Sequence, residues 1–150
     1  VWMQGRCGWM FAFLCSQYGE RSEWLEASRS CLDFMEAHCF NRACGDRMYF
    51  TVTAEGKPLR QRRYYFSEAF CAIANAEYYG VTGDAVRLER ARQCYDLYWN
   101  LSQGMEDPVG MGPKTIPETR SGRAFGAPMI LLNVTGVMLR TDPDRRALYE

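Results

Sequence analysis

Phe66-Ser67-Glu68-Ala69-Phe70-Cys71-Ala72-Ile73-Ala74-Asn75-Ala76-Glu77-Tyr78-Tyr79 is the stretch on which the fold turns. Phe66, Phe70, Ile73 and Ala74 recur at helical intervals along one stripe, and Ala69, Ala72 and Ala76 line the flank beside it. A helix that is apolar on most sides and rich in alanine is expected to lie between close neighbours. Thr82-Gly83-Asp84 ends it, and Asp84 is placed to cap a second helix running to about Ser102. That second helix is apolar along a single seam, Leu88, Ala91, Tyr95, Tyr98 and Leu101.

The same alternation repeats on both sides. From Trp2 to Tyr18, Trp2, Trp9, Met10, Phe13 and Leu14 keep the helical period while Phe11 and Ala12 fill the remaining face. Arg21 to Phe40 has one apolar side, with Trp24, Leu25, Cys31, Leu32, Met35 and Cys39, and a wet side with Glu23, Glu26, Arg29, Asp33 and Glu36. A third apolar helix is expected over Ala124 to Leu139, with Pro128 tolerable only near its first turn. The apolar helices thus begin near Trp2, Phe66 and Ala124, a repeat of about sixty residues, too long for the roughly 34-residue tetratricopeptide or 33-residue ankyrin unit. A ring of inner and outer helices accounts for it, because inner helices meet neighbours on both flanks while outer ones keep a face in water. The fold class expected is all-α, part of an (α/α)6 toroid with a small β-hairpin insertion.

The insertion is Met48 to Arg62, where Tyr49, Phe50, Thr51, Val52 and Thr53 are β-prone and Glu55-Gly56-Lys57-Pro58 supplies a turn. Gly104 to Gly122, with four glycines and three prolines, is too broken for a simple connection and reads as a functional or mobile loop. Asp142-Pro143 is a cap-plus-N1 signal that opens another helix before Glu150. The chain starts within a helical pattern at Val1, without an initiator Met, so both ends read as cut.

Composition narrows the function. The 150 residues are 47% hydrophobic and 24% charged, values of an ordinary globular domain. Eighteen basic residues balance eighteen acidic ones, so no overall field favours nucleic acid or an anionic membrane. No apolar run approaches the roughly twenty residues needed to span a bilayer, and nothing resembles a secretory signal. The seven cysteines form no C-x-x-C pair and find no His at zinc spacing, which points to reduced thiols in a cytoplasmic protein and to no metal site.

Three blocks carry a family resemblance. Val1-Trp2-Met3-Gln4-Gly5-Arg6, followed by Trp9 and Phe11, resembles the V-W-x-Q-G-R-x-x-W segment of the N-acylglucosamine 2-epimerase family. Gly56-Lys57-Pro58, Gln61, Arg63 and Phe66-Ser67-Glu68-Ala69-Phe70 are similar to that family's hairpin and its R-x-x-F-S-E-x-F helix start. Ala127-Pro128-Met129-Ile130-Leu131-Leu132-Asn133 resembles its V-P-M-x-L-L-N helix. The blocks occur in the family's order across nearly the whole chain. The resemblance implies that residues 1–150 are a piece of a single toroid domain of a soluble enzyme that interconverts N-acetylglucosamine and N-acetylmannosamine, or a related aldose. It implies no required cofactor, leaves room for a nucleotide (ATP) effector, and is compatible with a homodimer whose partner is otherwise a small sugar.

In such enzymes a base removes the C2 proton of the open-chain sugar to give an enediolate, and an acid returns a proton to the opposite face. Two histidines do this, because imidazole titrates near neutral pH. The single histidine here, His38, lies outside every matched block and reads as structural. Arg6 matches the family's pocket arginine; it is the candidate catalytic and substrate-binding residue, donating to the sugar O1 or O5 and to the developing enediolate. Its place on an apolar helix suggests burial, which a guanidinium tolerates only beside an acid or a ligand. Phe66, Glu68 and Met129 are the further substrate-binding candidates, with Glu68 serving equally well as a carboxylate at a helix N-terminus. Trp9 and Phe11 read as core, and Arg63 as an anchor of the hairpin or a residue of the mouth. Cellobiose-type relatives carry histidines where this chain has Pro128 and Met129, a departure that favours the acylglucosamine branch. Competing readings are a helical scaffold that binds a protein, a mannose- or cellobiose-type epimerase on the same fold, and a glycoside hydrolase needing two carboxylates across one cleft.

Overall fold

The computed structural model describes residues 1–62, 64–112, 115–116, 118–120, 122 and 125–150. Five long helices carry the fold: α1 (Trp2–Tyr18), α2 (Ser22–His38), α3 (Phe66–Thr82), α4 (Ala85–Ser102) and α5 (Gly126–Thr141), followed by a 3-10 turn at Pro143–Arg145 and a short α6 (Arg146–Tyr149). Between α2 and α3 lie two small antiparallel ladders. The expected hairpin is present, β3 (Thr51–Val52) pairing with β4 (Pro58–Arg60). A second ladder that the sequence did not signal, β1 (Phe40–Asn41) with β2 (Arg47–Met48), encloses a 3-10 turn at Arg42–Cys44. Strands of two residues are too short to show alternation, which is why only the longer β-prone run was legible.

The layering follows the apolar patterns. α3 packs between α1 and α5 as the inner layer, while α2 covers α1 and α4 covers α3 from outside. Every residue of α3 from Ser67 to Tyr78 is buried, whereas α2 buries only Ser28, Leu32 and Met35. The alanines of α3 let its neighbours approach, and Asp84 caps α4 as expected, its Oδ1 accepting the Val86 N–H at 3.0 Å.

One expectation needs correcting. The third apolar helix begins at Gly126, Ala124 lying outside the described residues, and α5 buries only Val134, Val137, Met138 and Thr141. It packs on α3, α4 and the C-terminal turns, and leaves Leu132 74% exposed. Asp142 stands at the N-cap of the 3-10 turn with Pro143 after it, as expected, but its side chain makes no capping hydrogen bond. Its buried carboxylate instead receives Arg92 Nε at 2.8 Å, Arg92 Nη2 at 2.6 Å and the Tyr149 hydroxyl at 2.7 Å, tying the C-terminal turn to α4. The Arg92 hydrogen bonds hold its carboxyl below the usual range.

At the C-terminal ends of the inner helices, Glu77 plays the corresponding role. It accepts Trp9 Nε1 at 3.3 Å and Ser16 Oγ at 3.1 Å and pairs with Arg140, so one buried carboxylate of α3 joins α1 and α5. Trp9 is therefore held in this tie, in keeping with its reading as a packing residue. His38, at the exposed end of α2, lies 4.9 Å from the Phe34 ring and directly beneath Gly56, where a Cβ would come within 2.2 Å of the imidazole. With φ at +84° and no room for a side chain, the hairpin turn requires glycine there.

Candidate functional site

The N-terminal ends of the inner helices bring together residues from the first two matched blocks. Gly5 sets the geometry. A Cβ at this position would lie 2.7 Å from Phe70 Cβ and 2.9 Å from Phe70 C, so α1 and α3 touch backbone to side chain here. That contact places the Arg6 guanidinium 4.2 Å over the Phe70 ring. Gly5→Ala is expected to cost about 1–3 kcal/mol through overpacking, because the α3 backbone cannot move without shifting its other neighbours. Guanidinium denaturation of wild type and variant measures this, and equal midpoints would show that the approach is looser than the geometry implies.

Around Phe70 lies a cluster of rings. Trp2 meets Phe50 edge-on at 4.9 Å and sits 5.5 Å from Phe66 and 6.1 Å from Phe70, and Tyr64 stacks on Phe66 at 5.7 Å. Arg62 lies over the opposite end of the cluster, 4.2 Å from the Phe50 centroid. Offset and edge-on contacts of this kind each contribute roughly 0.5–1.5 kcal/mol beyond burial and give a rigid apolar floor. Met129, in the first turns of α5, is 52% exposed. That end of α5 is fixed by Tyr98, whose hydroxyl donates to Ala127 O at 2.7 Å, and a Cβ on Gly126 would touch the Phe66 ring edge at 3.8 Å.

Arg6 is exposed, contrary to the burial its helix suggested, and no carboxylate pairs with it among the described residues. One face of its guanidinium lies over Phe70 of α3 while the residue stays exposed, so its donors are open to a ligand and its charge needs no buried counter-ion. Glu68 stands differently. It is fully buried, 3.0 Å from Arg47 Nε, and accepts the Met48 N–H at 2.8 Å. Arg47 is also fully buried and reaches Asp107 at 3.0 and 3.2 Å and Tyr64 O at 3.4 Å. The triad locks β2, the start of α3 and the segment after α4 together behind the ring cluster. Burial pushes the Glu68 carboxyl up, against Arg47 and the Met48 amide, which pull it down. Arg63 lies outside the described residues. Among the described residues, no group of three Cys, His, Asp or Glu is placed to hold a metal ion, and no helix is long and apolar enough to cross a membrane.

Arg47, Asp107 and Phe50 were not singled out by sequence reasoning. Arg47 stands just before the β-prone run, in a stretch that carries no signal of its own, and Asp107 stands sixty residues away in the Gly104 to Gly122 loop. No periodic pattern links them.

The N-acylglucosamine 2-epimerase family model matches residues 1–139. The bovine (Bos taurus) N-acylglucosamine 2-epimerase is 31% identical over 146 residues, 96% of this chain and 34% of that protein. Among solved structures, the cellobiose 2-epimerase of Bacillus thermoamylovorans superposes with a TM-score of 0.79 at 18% identity, over 97% of this chain and 42% of that one. A sugar epimerase from a ruminal bacterium gives 0.77 at 17%, over 99% and 41%. The chain thus spans about a third of the length of the curated relatives, taking its 34% share of the bovine protein as the measure, and its helical arrangement is that of the sugar epimerases.

Proposed function

The chain belongs to the N-acylglucosamine 2-epimerase family, and from that premise we propose that it forms one wall of a sugar site in which an N-acylhexosamine is epimerised at C2 through an enediolate. The observation that supports this most is the open Arg6 guanidinium fixed over Phe70 beside the Trp2, Phe50 and Phe66 rings. Rings offer a flat apolar face to a sugar, and a planar guanidinium offers paired donors to the oxygens where negative charge develops. Phe66 and Met129 line this wall in our reading. Glu68 acts from behind it, through Arg47 and the Met48 amide. The ring of inner and outer helices closes as an α/α toroid in the whole protein, a cytoplasmic enzyme acting on N-acetylglucosamine and N-acetylmannosamine. No cofactor enters the chemistry as written, and a nucleotide effector would act on the rate.

The acid/base pair is not supplied by these residues, since His38 is the chain's one histidine and it is engaged beneath Gly56. The 150-residue segment by itself should therefore be inactive. The test is proton NMR of the full-length protein with N-acetylmannosamine in D2O, with and without ATP. Appearance of N-acetylglucosamine carrying deuterium at C2 is the expected result. No product and no exchange from this sugar, with turnover of cellobiose or mannose instead, would move the protein to another branch of the family; no exchange from any aldose would overturn the reading.

A further inference from the structure

We propose that Tyr98 is a positioning residue of the sugar site: from the outer layer it sets where the start of α5, with Met129, stands against Phe66. The inference rests on the sugar-site reading above and concerns what fixes the spacing between two parts of that wall. The contacts close on themselves. The Tyr98 hydroxyl donates to Ala127 O at 2.7 Å, and the Tyr98 ring meets Tyr65 edge-on at 4.9 Å. Tyr65 immediately precedes α3 and lies 6.3 Å from Phe66, and a Cβ on Gly126 would come within 3.8 Å of the Phe66 ring. One side chain of α4 thus touches the first residues of α5 and the residue that leads into α3, at the point where these two inner helices meet.

Packing alone does not call for a hydroxyl here. Tyr98 is fully buried, and phenylalanine would fill nearly the same space without the cost of burying a polar group; the hydroxyl is tolerated because Ala127 O matches it. Burial pushes the phenol up, so it stays a donor at neutral pH. Where the bond falls gives it its role. α5 fully buries no residue before Val134, and its N-cap makes no side-chain hydrogen bond, so the first two turns, which carry Met129, are held less firmly by packing than the rest. One turn earlier on α4, Tyr95 makes a comparable bond to Thr135 at 3.0 Å, but beside the half of α5 that burial already fixes. Of these two ties, Tyr98's is the one that falls where packing leaves the helix room to shift. A small displacement of α5 there changes the space a sugar must fill, and a site keeps its geometry only when the residues behind it are held.

The test uses the full-length protein and initial rates of N-acetylmannosamine epimerisation by wild type, Tyr98→Phe and Tyr95→Phe, with thermal denaturation of each. Both variants remove one buried tyrosine hydrogen bond between α4 and α5, so both should lower Tm to a similar extent. Tyr98→Phe alone should raise KM, by roughly two- to tenfold, the worth of one hydrogen bond, with kcat within about twofold of wild type. Tyr95→Phe should keep the wild-type KM. An unchanged KM in Tyr98→Phe, whatever happens to kcat, or an equal rise in Tyr95→Phe, would overturn this proposal while leaving the sugar site standing. Wild-type protein that does not turn over the sugar would remove both.

Discussion

Arg47→Met is expected to destabilise the protein by about 3–5 kcal/mol, because it leaves two carboxylates behind a removed counter-charge. Arg47 and Glu68 are both fully buried, and Asp107 is largely so. In the native triad one guanidinium serves both acids, and Glu68 Oε2 already lacks a hydrogen-bond partner among the described residues. Without Arg47, ionised Glu68 keeps only backbone amides among the described residues, so the side chain should take up a proton instead. The sign of the pH dependence follows. Glu68 already has its folded pKa raised by burial, so its favourable contribution is present below the ordinary carboxylate value and lost as pH rises through the folded one. Removing Arg47 raises the folded value further, and the penalty should be greatest at neutral pH and relieved on acidification. Urea denaturation from pH 5 to 8 measures it. A loss under about 1 kcal/mol, flat across pH, would mean that the triad contributes little and that water compensates the acids. Replacing all three as Arg47→Met, Glu68→Leu and Asp107→Asn should recover much of the loss, since a buried ion pair is seldom better than an apolar substitute.

Such a tie shows where sequence reading reaches its limit. The helices and their layers were legible because burial on two flanks or one writes itself into periodicity: α3 reads as apolar all round and is buried all round, and α2 reads as one-sided and is. The Gln4-Gly5-Arg6 block was legible as a motif, and the structure supplies its physical sense, a glycine that lets α1 meet Phe70 and so sets the arginine beside it. Partners distant in the chain were not legible. Arg47 and Asp107 are separated by sixty residues, and nothing local to either marks a buried charge. Asp142 was legible as the N-cap before Pro143, but the partners of its carboxylate were not: it is drawn to a better donor than the helix amides, and Arg92 offers two. α5 reads as fully apolar yet is half-covered, since periodicity reports which faces prefer burial and not which of them a neighbour of this chain reaches.

Arg6→Lys should lower kcat/KM by roughly ten- to a thousandfold in the full-length enzyme, the scale of losing one transition-state hydrogen bond. Lysine keeps the charge but replaces a planar fork with a point donor, which cannot lie flat on Phe70 and hold two sugar oxygens at once. If the interaction strengthens as the enediolate forms, most of the loss falls in kcat; if it serves the ground state equally, it falls in KM. Stability should change little. Arg6 is exposed and has no ion pair among the described residues, so the fold loses only the contact with Phe70, about 0.5–1 kcal/mol at an exposed site. The two readouts separate function from structure because Gly5→Ala, one residue away, should do the reverse in proportion: a clear drop in melting temperature, with activity falling as α1 shifts. Full activity in Arg6→Lys together with a sharply lower melting temperature would make Arg6 a structural tie, and the ring cluster would lose its claim to the sugar.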